Sequence, residues 1–221
     1  MIPKLACLSS YPLEHNDQFN ANFPCRFYPM PWRNGAGTTT ELIKRDLPEE
    51  YDGSGFAWRL SMAEVVDDGY FSNFEYYNRT LVLLNGNGVT LHHNKDQSDV
   101  LSKPLEFAQF RGESVTYATL HDGAIKDFNI ITRRGFCKAN TICGGGSGIT
   151  EFSSCAATLL IFAMQGDVIV KLDSANQNTN SEIKIQDQSL LFVQTESNNN
   201  SGNIRISIST NESKFIALEI I

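Results

Sequence analysis

Short runs of β-branched and aromatic residues, broken by clusters of Gly, Asn, Asp and Ser, recur along the whole of this chain, while stretches with helical apolar spacing are scarce. That pattern makes the chain all-β. Strand candidates fall at 56–63, 80–84, 88–92, 114–120, 126–132, 157–164, 167–172, 189–194, 204–209 and 214–221. Many short strands with turn signals between them point to a sandwich or a barrel. The chain has 221 residues, 41% of them hydrophobic, which suffices for one large β domain or two small ones.

The two halves resemble each other. Residues 80–91 (TLVLLNGNGVTL) run strand, glycine turn, strand, and residues 158–172 (TLLIFAMQGDVIVKL) repeat the pattern. Each reads as a hairpin of the same design. Downstream, 110–115 (FRGESV) is echoed by 185–190 (IQDQSL), a polar turn opening another strand. The correspondence indicates duplication of one β unit. Residues 143–148 (CGGGSG) are the most flexible composition in the chain, because glycine costs most to order, and they read as a link between halves at 1–140 and 150–221. The polar tracts 174–181 and 196–203 read as exposed loops.

A formal net charge of −7 gives no general attraction to nucleic acid or to anionic membranes, so neither is an expected partner. The five cysteines (7, 25, 137, 143 and 155) are odd in number and lack zinc-type spacing, which fits free thiols in a reducing compartment. The opening MIPKLACLSSYPLEH lacks the apolar core of a signal peptide, and no apolar run is long enough to span a bilayer. A cytoplasmic location is the expectation.

The histidines are His15, His92, His93 and His121. Adjacent strand residues point to opposite faces, so His92 and His93 do not share a cavity, and no H-x-H pair precedes a suitably placed Glu. No metal and no cofactor are expected. A G-x-S-x-G elbow is absent, and the cysteines have no recognisable activating partner. Glu41 and Glu64 are left as carboxyls that could do acid–base work if buried.

The densest unusual stretch is 30–41, MPWRNGAGTTTE. Gly35 and Gly37 could let backbone N–H groups approach an anion, with Trp32 as a flat wall and Arg33 as a bidentate carboxylate partner. The same residues also read as a tight turn leading into a Thr-rich strand. Along 56–63, Phe56, Trp58, Leu60 and Met62 share one face, and Arg59 and Ser61 share the other. Asp127, Asn129 and Arg133 share the parity of Ile131, opposite Phe128, Ile130 and Thr132. Each polar stripe is a pocket wall or an outer surface, and parity does not choose between them.

These residues, in order, resemble the HutD/Ves family. The resemblance rests on 31–41 (PWRNGAGTTTE), 56–63 (FAWRLSMA), 68–72 (DGYFS), 77–81 (YNRTL) with Gly86 and Gly88, and 127–134 (DFNIITRR), spanning residues 28–135. It implies a bicupin, meaning two fused double-stranded β-helix (jelly-roll-like) barrels with few helices. HutD members accompany histidine-utilisation genes and are thought to bind a pathway metabolite; Ves members are linked to growth at low temperature. The positions carried over as ligand-site candidates are Trp32, Arg33, Asn34, Gly35, Gly37, Thr38, Thr39, Glu41, Trp58, Arg59, Ser61, Arg79, Asp127, Asn129, Arg133 and Arg134. Ala36 and Ile131 depart from the family's frequent Gly and Met.

The function implied is non-catalytic binding of a small carboxylate-bearing metabolite, such as formylglutamate or urocanate, in a regulatory role. In that reading Arg59 or Arg33 pairs the carboxylate, Asn34 and Thr39 orient it, and Trp32 or Trp58 walls the apolar part. The alternative is a cupin enzyme, either a metal-dependent oxygenase or isomerase or a metal-free acid–base catalyst using Glu41. A homodimer is one assembly open to the chain.

Overall fold

The computed structural model describes residues 4–6, 30–32, 35–51, 55–94, 97–174, 177–194 and 204–221, and among them every regular element is a strand. The chain divides into two units, Phe27–Lys138 and Met1–Arg26 with Ala139–Ile221. Strand β1 (Lys4–Ala6) belongs to the latter, where it extends the edge of the sheet.

The unit Phe27–Lys138 contains β2 (Met30–Pro31), β3 (Gly37–Asp46), β4 (Phe56–Val65), β5 (Gly69–Tyr70), β6 (Tyr77–Asn85), β7 (Val89–His93), β8 (Gln97–Leu101), β9 (Phe107–Arg111), β10 (Thr116–Leu120) and β11 (Ile125–Arg133). They form two antiparallel sheets, ordered β2-β3-β4-β11-β6-β9 and β5-β10-β7-β8. Alternate residues of these strands, among them Val65, Leu81, Leu83, Val89, Leu91 and Ile125, form a shared apolar cluster. Burying each large aliphatic side chain contributes roughly 1.5–3 kcal/mol, so period-two placement of such residues is what holds the two layers together.

The other unit contains β12 (Ala139–Ser154), β13 (Thr158–Gln165), β14 (Val168–Ser174), β15 (Gln177–Ile185), β16 (Leu190–Gln194) and β17 (Ile204–Ile220). β17 pairs with β12 along its length, while its first part pairs with β14 and its last part with β13. The two C-terminal strands expected at 204–209 and 214–221 are therefore one element. Positive φ at Glu212 (58°) and register shifts against β12 and β13 bend it without ending it.

Three further expectations are corrected. Residues 143–148 are not a link: they lie inside β12, and the boundary between units falls at 138/139. Glycine serves close packing there, since a Cβ on Gly144 would sit 2.5 Å from the Phe215 ring. Nor are 80–91 and 158–172 hairpins. β6 pairs with β9 and β11 and β7 with β8 and β10, while β13 pairs with β16 and β17 and β14 with β15 and β17. The glycine turns, with φ of 106° at Gly86, 121° at Gly88 and 71° at Gly166, carry the chain from one ladder into another. Finally, most of the polar tract 174–181 continues β14 and β15 rather than forming a loop; the tract 196–203 lies outside the described residues.

The pairing scheme is nevertheless duplicated. β4 with β5 corresponds to β12, β6 to β13, β7 to β14, β8 to β15, β9 to β16, and β10 with β11 to the single strand β17.

Candidate functional site

Within the unit Phe27–Lys138, three neighbouring strands present one face in rungs. Arg59, Ile131 and Arg79 stand side by side on β4, β11 and β6; Ser61, Asn129 and Leu81 form the next rung; Ala63, Asp127 and Leu83 form the third. That face bounds a cavity of about 530 Å³. Pro31, Trp32 and Thr39 close one side of it, β5 supplies Tyr70, and the irregular segment after it supplies Phe71, Ser72 and Phe74. Its volume is in the range of small-molecule sites.

Arg79 is buried and organises the floor. Its Nη2 donates to Asn129 Oδ1 at 2.7 Å and its Nη1 to the Ser72 carbonyl at 3.2 Å. The rings of Phe71, Phe74 and Phe110 lie 5.3, 5.5 and 5.1 Å from the guanidinium carbon, within cation–π range. An arginine can only donate, so it fixes the Asn129 amide with Oδ1 toward itself and Nδ2 toward Asp127, and Nδ2 donates to Asp127 Oδ1. Asp127 Oδ2 and Arg79 Nε are buried and have no hydrogen-bond partner among the described residues.

Burial governs the charges. It pushes the Asp127 carboxyl up to about 7, against the opposing pull of Arg79 and the Asn129 hydrogen bond. It lowers the Arg79 guanidinium to about 10; Asp127 opposes that shift and Arg59 adds to it. Arg59 Nε lies 2.8 Å from Glu41 Oε2, but the angle is poor and Nε makes no hydrogen bond. With Glu41 37% exposed, this pair holds Arg59 weakly. At the side wall, Trp32 Nε1 donates to Thr39 Oγ1 at 2.7 Å, and the indole meets Phe71 edge-on.

The structure thus brings Trp32, Thr39, Arg59, Ser61, Arg79, Asp127 and Asn129 together. Arg33 and Asn34 lie outside the described residues. The remaining candidates are not part of the lining. Trp58 is buried on the face opposite Arg59, so it does not wall the cavity. Thr38 likewise alternates away from Thr39, and Glu41 reaches the site only through Arg59. Gly35 takes φ 74° in the turn whose N–H bonds back to Trp32 O, and Gly37 lets the Glu64 carbonyl come close. Arg133 stacks on Tyr76 and Tyr77. Arg134 makes a bidentate pair with Glu113, both bonds at 2.7 Å, and donates to the Tyr77 carbonyl at 2.8 Å. Both arginines brace the end of β11.

Tyr70, Phe71, Ser72 and Phe74 were absent from the sequence-derived candidates. The motif at 68–72 was the available signal, but an irregular segment has no periodicity from which to read a facing. His93 is buried and hydrogen-bonded to Thr116 Oγ1 and Asp99 Oδ2, whereas its neighbour His92 is exposed. Among the described residues no three His, Cys, Asp or Glu side chains are grouped to hold a metal ion.

The family model described as HutD matches residues 26–213, most of the chain. The chain belongs to the HutD family. It is 39% identical over 146 residues to the 21.2 kDa protein in the hutC 3′ region of Pseudomonas putida, covering 66% of this chain and 74% of that one. Protein Ves of Citrobacter koseri is 35% identical over 147 residues, with the same coverage. The solved structure of HutD from Pseudomonas fluorescens SBW25 superposes with a TM-score of 0.70 at 29% identity, over 88% of this chain and 94% of that one. The fold of this HutD-family protein is all-β and is the one that HutD of Pseudomonas fluorescens has.

The duplicated pairing lets the two units be compared position by position. Alignment of the turn residues Asn85 and Gln165 and of the ladders places Leu159 where Arg79 stands, Phe215 where Asp127 stands and Ala217 where Asn129 stands. Along β12, Asn140 takes the place of Arg59 and Ile142 that of Ser61. Leu159, Phe215 and Ala217 are buried in an apolar cluster against which Ile142 packs, and Asn140 Nδ2 is bonded to Glu219. The second copy of this HutD-family fold is filled where the first is hollow and charged.

Proposed function

We propose that this HutD-family chain is a non-catalytic binding protein that takes a small carboxylate-bearing metabolite into the cavity of the unit Phe27–Lys138, in a regulatory role. The observation that carries this is the pair of guanidiniums, Arg59 and Arg79, facing one cavity whose buried carboxyl is only partly ionised at neutral pH. The positive charge there is under-compensated, and an anion of the right size relieves it. Arg59, loosely held by Glu41, is the movable partner for the ligand carboxylate; Arg79 is fixed and sets the field around it. Trp32 and Phe71 cover the apolar part of the ligand. A relative in a hutC 3′ region supports a histidine-utilisation intermediate, formylglutamate or urocanate, and the similarity to Protein Ves leaves a role in growth at low temperature as the other branch.

Calorimetric titration with formylglutamate, urocanate and their neutral amide analogues tests the reading. Binding of the acids and not of the amides supports it; equal binding, or none, removes it.

A second reading is acid–base catalysis. Its carboxyl would be Asp127, held near neutrality inside the cavity, in place of Glu41, which does not line it. Substrate proton exchange with deuterated solvent, followed by NMR and abolished in Asp127→Asn, would favour it.

A further inference from the structure

We propose that the ligand carries, besides its carboxylate, a neutral or charged hydrogen-bond donor, an N–H or O–H, that bonds Asp127 Oδ2 on the cavity floor. This rests on the carboxylate reading of the same site and adds the second half of the recognition.

The argument starts from hydrogen-bond accounting. Asp127 is 1% exposed, lines the cavity, and has one oxygen engaged by Asn129 Nδ2 and the other without a partner among the described residues. Asn129 cannot be turned to serve Oδ2 differently, because its carbonyl is held by Arg79. Arg79 in turn spends both Nη atoms on Asn129 and Ser72. Asp127 Oδ2 is therefore a buried acceptor with no donor among the described residues, an arrangement that is costly unless something fills it. A ligand bearing only carboxylates would bring further acceptors to that oxygen and repel it. A ligand donor would instead favour the ionised carboxyl, which burial otherwise pushes up to about 7.

The spacing indicates that donor and carboxylate lie on separate parts of the ligand. Asp127 stands four residues along β11 from Ile131, the rung neighbour of Arg59. Among the described residues the charged group acting on Asp127 is Arg79 on β6; Arg59 on β4 acts on Arg79, Glu41 on β3 is paired to Arg59, and His93 on β7 feels Arg79.

The test uses the full chain and three probes: N-formylglutamate, its N-methylated counterpart and glutarate, titrated by calorimetry at pH 6 and pH 8. N-formylglutamate is expected to bind roughly ten- to a hundredfold tighter than the N-methyl compound, the usual worth of a hydrogen bond to a charged group. Its affinity should rise roughly tenfold from pH 6 to pH 8 as Asp127 ionises, while that of glutarate does not rise. Asp127→Asn, nearly isosteric, presents an N–H group to the ligand donor; it should abolish both the preference and the pH rise. Equal binding of all three probes overturns the donor proposal and leaves the carboxylate reading standing. Tighter binding of the N–H probe at pH 6 than at pH 8 overturns it too, since Asp127 would then be the donor. Binding of none of the three removes both readings. The wild-type comparison decides even if the variant does not fold.

Discussion

Arg79 donates from Nη2 to Asn129 Oδ1 at 2.7 Å, and both side chains are buried. Because Asn129 also donates to Asp127, one neutral amide spaces a cation from a carboxyl and satisfies an atom of each. Replacing Asn129 with Leu keeps the volume and strips both bonds, leaving Arg79 Nη2 and Asp127 Oδ1 unpaired. Chemical denaturation is expected to show a loss of about 2–4 kcal/mol with an unchanged m-value. A loss below the error of the extrapolation would mean that water or a rearranged side chain replaces the amide.

Arg59 is held only by a misaligned contact with the part-exposed Glu41, so removing it should affect binding more than folding. Arg59→Met keeps most of the aliphatic stem. Calorimetry should show carboxylate affinity falling by about 1.5–3 kcal/mol, one to two decades, with a melting temperature close to that of the wild type. Unchanged affinity would take the residue out of the site.

Asp127 makes stability depend on pH in a definite direction. Its carboxyl lies at about 7 in the folded chain against an ordinary value of 3.8, so between those values the native state holds more protons than the unfolded state. Stability from this group is full below about pH 4 and is lost as pH rises through 7, a change of the order of 4 kcal/mol. Part-exposed Glu106 and Glu113 and exposed Asp167, whose carboxyls are lowered by hydrogen bonds, act oppositely and lose stability as pH falls. The measurement is therefore the difference between wild type and Asp127→Asn, by denaturation at pH 5, 6, 7 and 8. The variant should gain on the wild type as pH rises; parallel curves would place the carboxyl at its ordinary value.

Arg134 braces the end of β11 through Glu113 and the Tyr77 carbonyl and does not line the cavity. Both charged partners are part-exposed, which limits what the pair contributes. Arg134→Met is expected to cost about 0.5–1 kcal/mol in denaturation and to leave carboxylate affinity within twofold. A tenfold loss of affinity would instead tie the brace to the site.

Some of the site was legible before any folding. Strict alternation along 56–63 and 127–133 set Arg59 with Ser61 on one side of their strand and Asp127 with Asn129 on one side of theirs, because successive strand residues must point to opposite sides. Trp58, named for its chemistry, failed the same parity test that promoted Arg59. The glycines at 143–148 were misread because flexibility and close packing ask for the same residue, and only the Phe215 ring against Gly144 separates the two.

What the sequence by itself determined was the strand periodicity, the repeat of a β unit and the sets of residues that share a face, all of which follow from local geometry. Tertiary structure alone decided which face turned inward, that 80–91 and 158–172 cross between ladders instead of pairing, and that Arg79 meets Asn129 across 50 residues of chain. Those outcomes depend on strand register, which is fixed only when distant strands close over a common core and is carried by no local pattern.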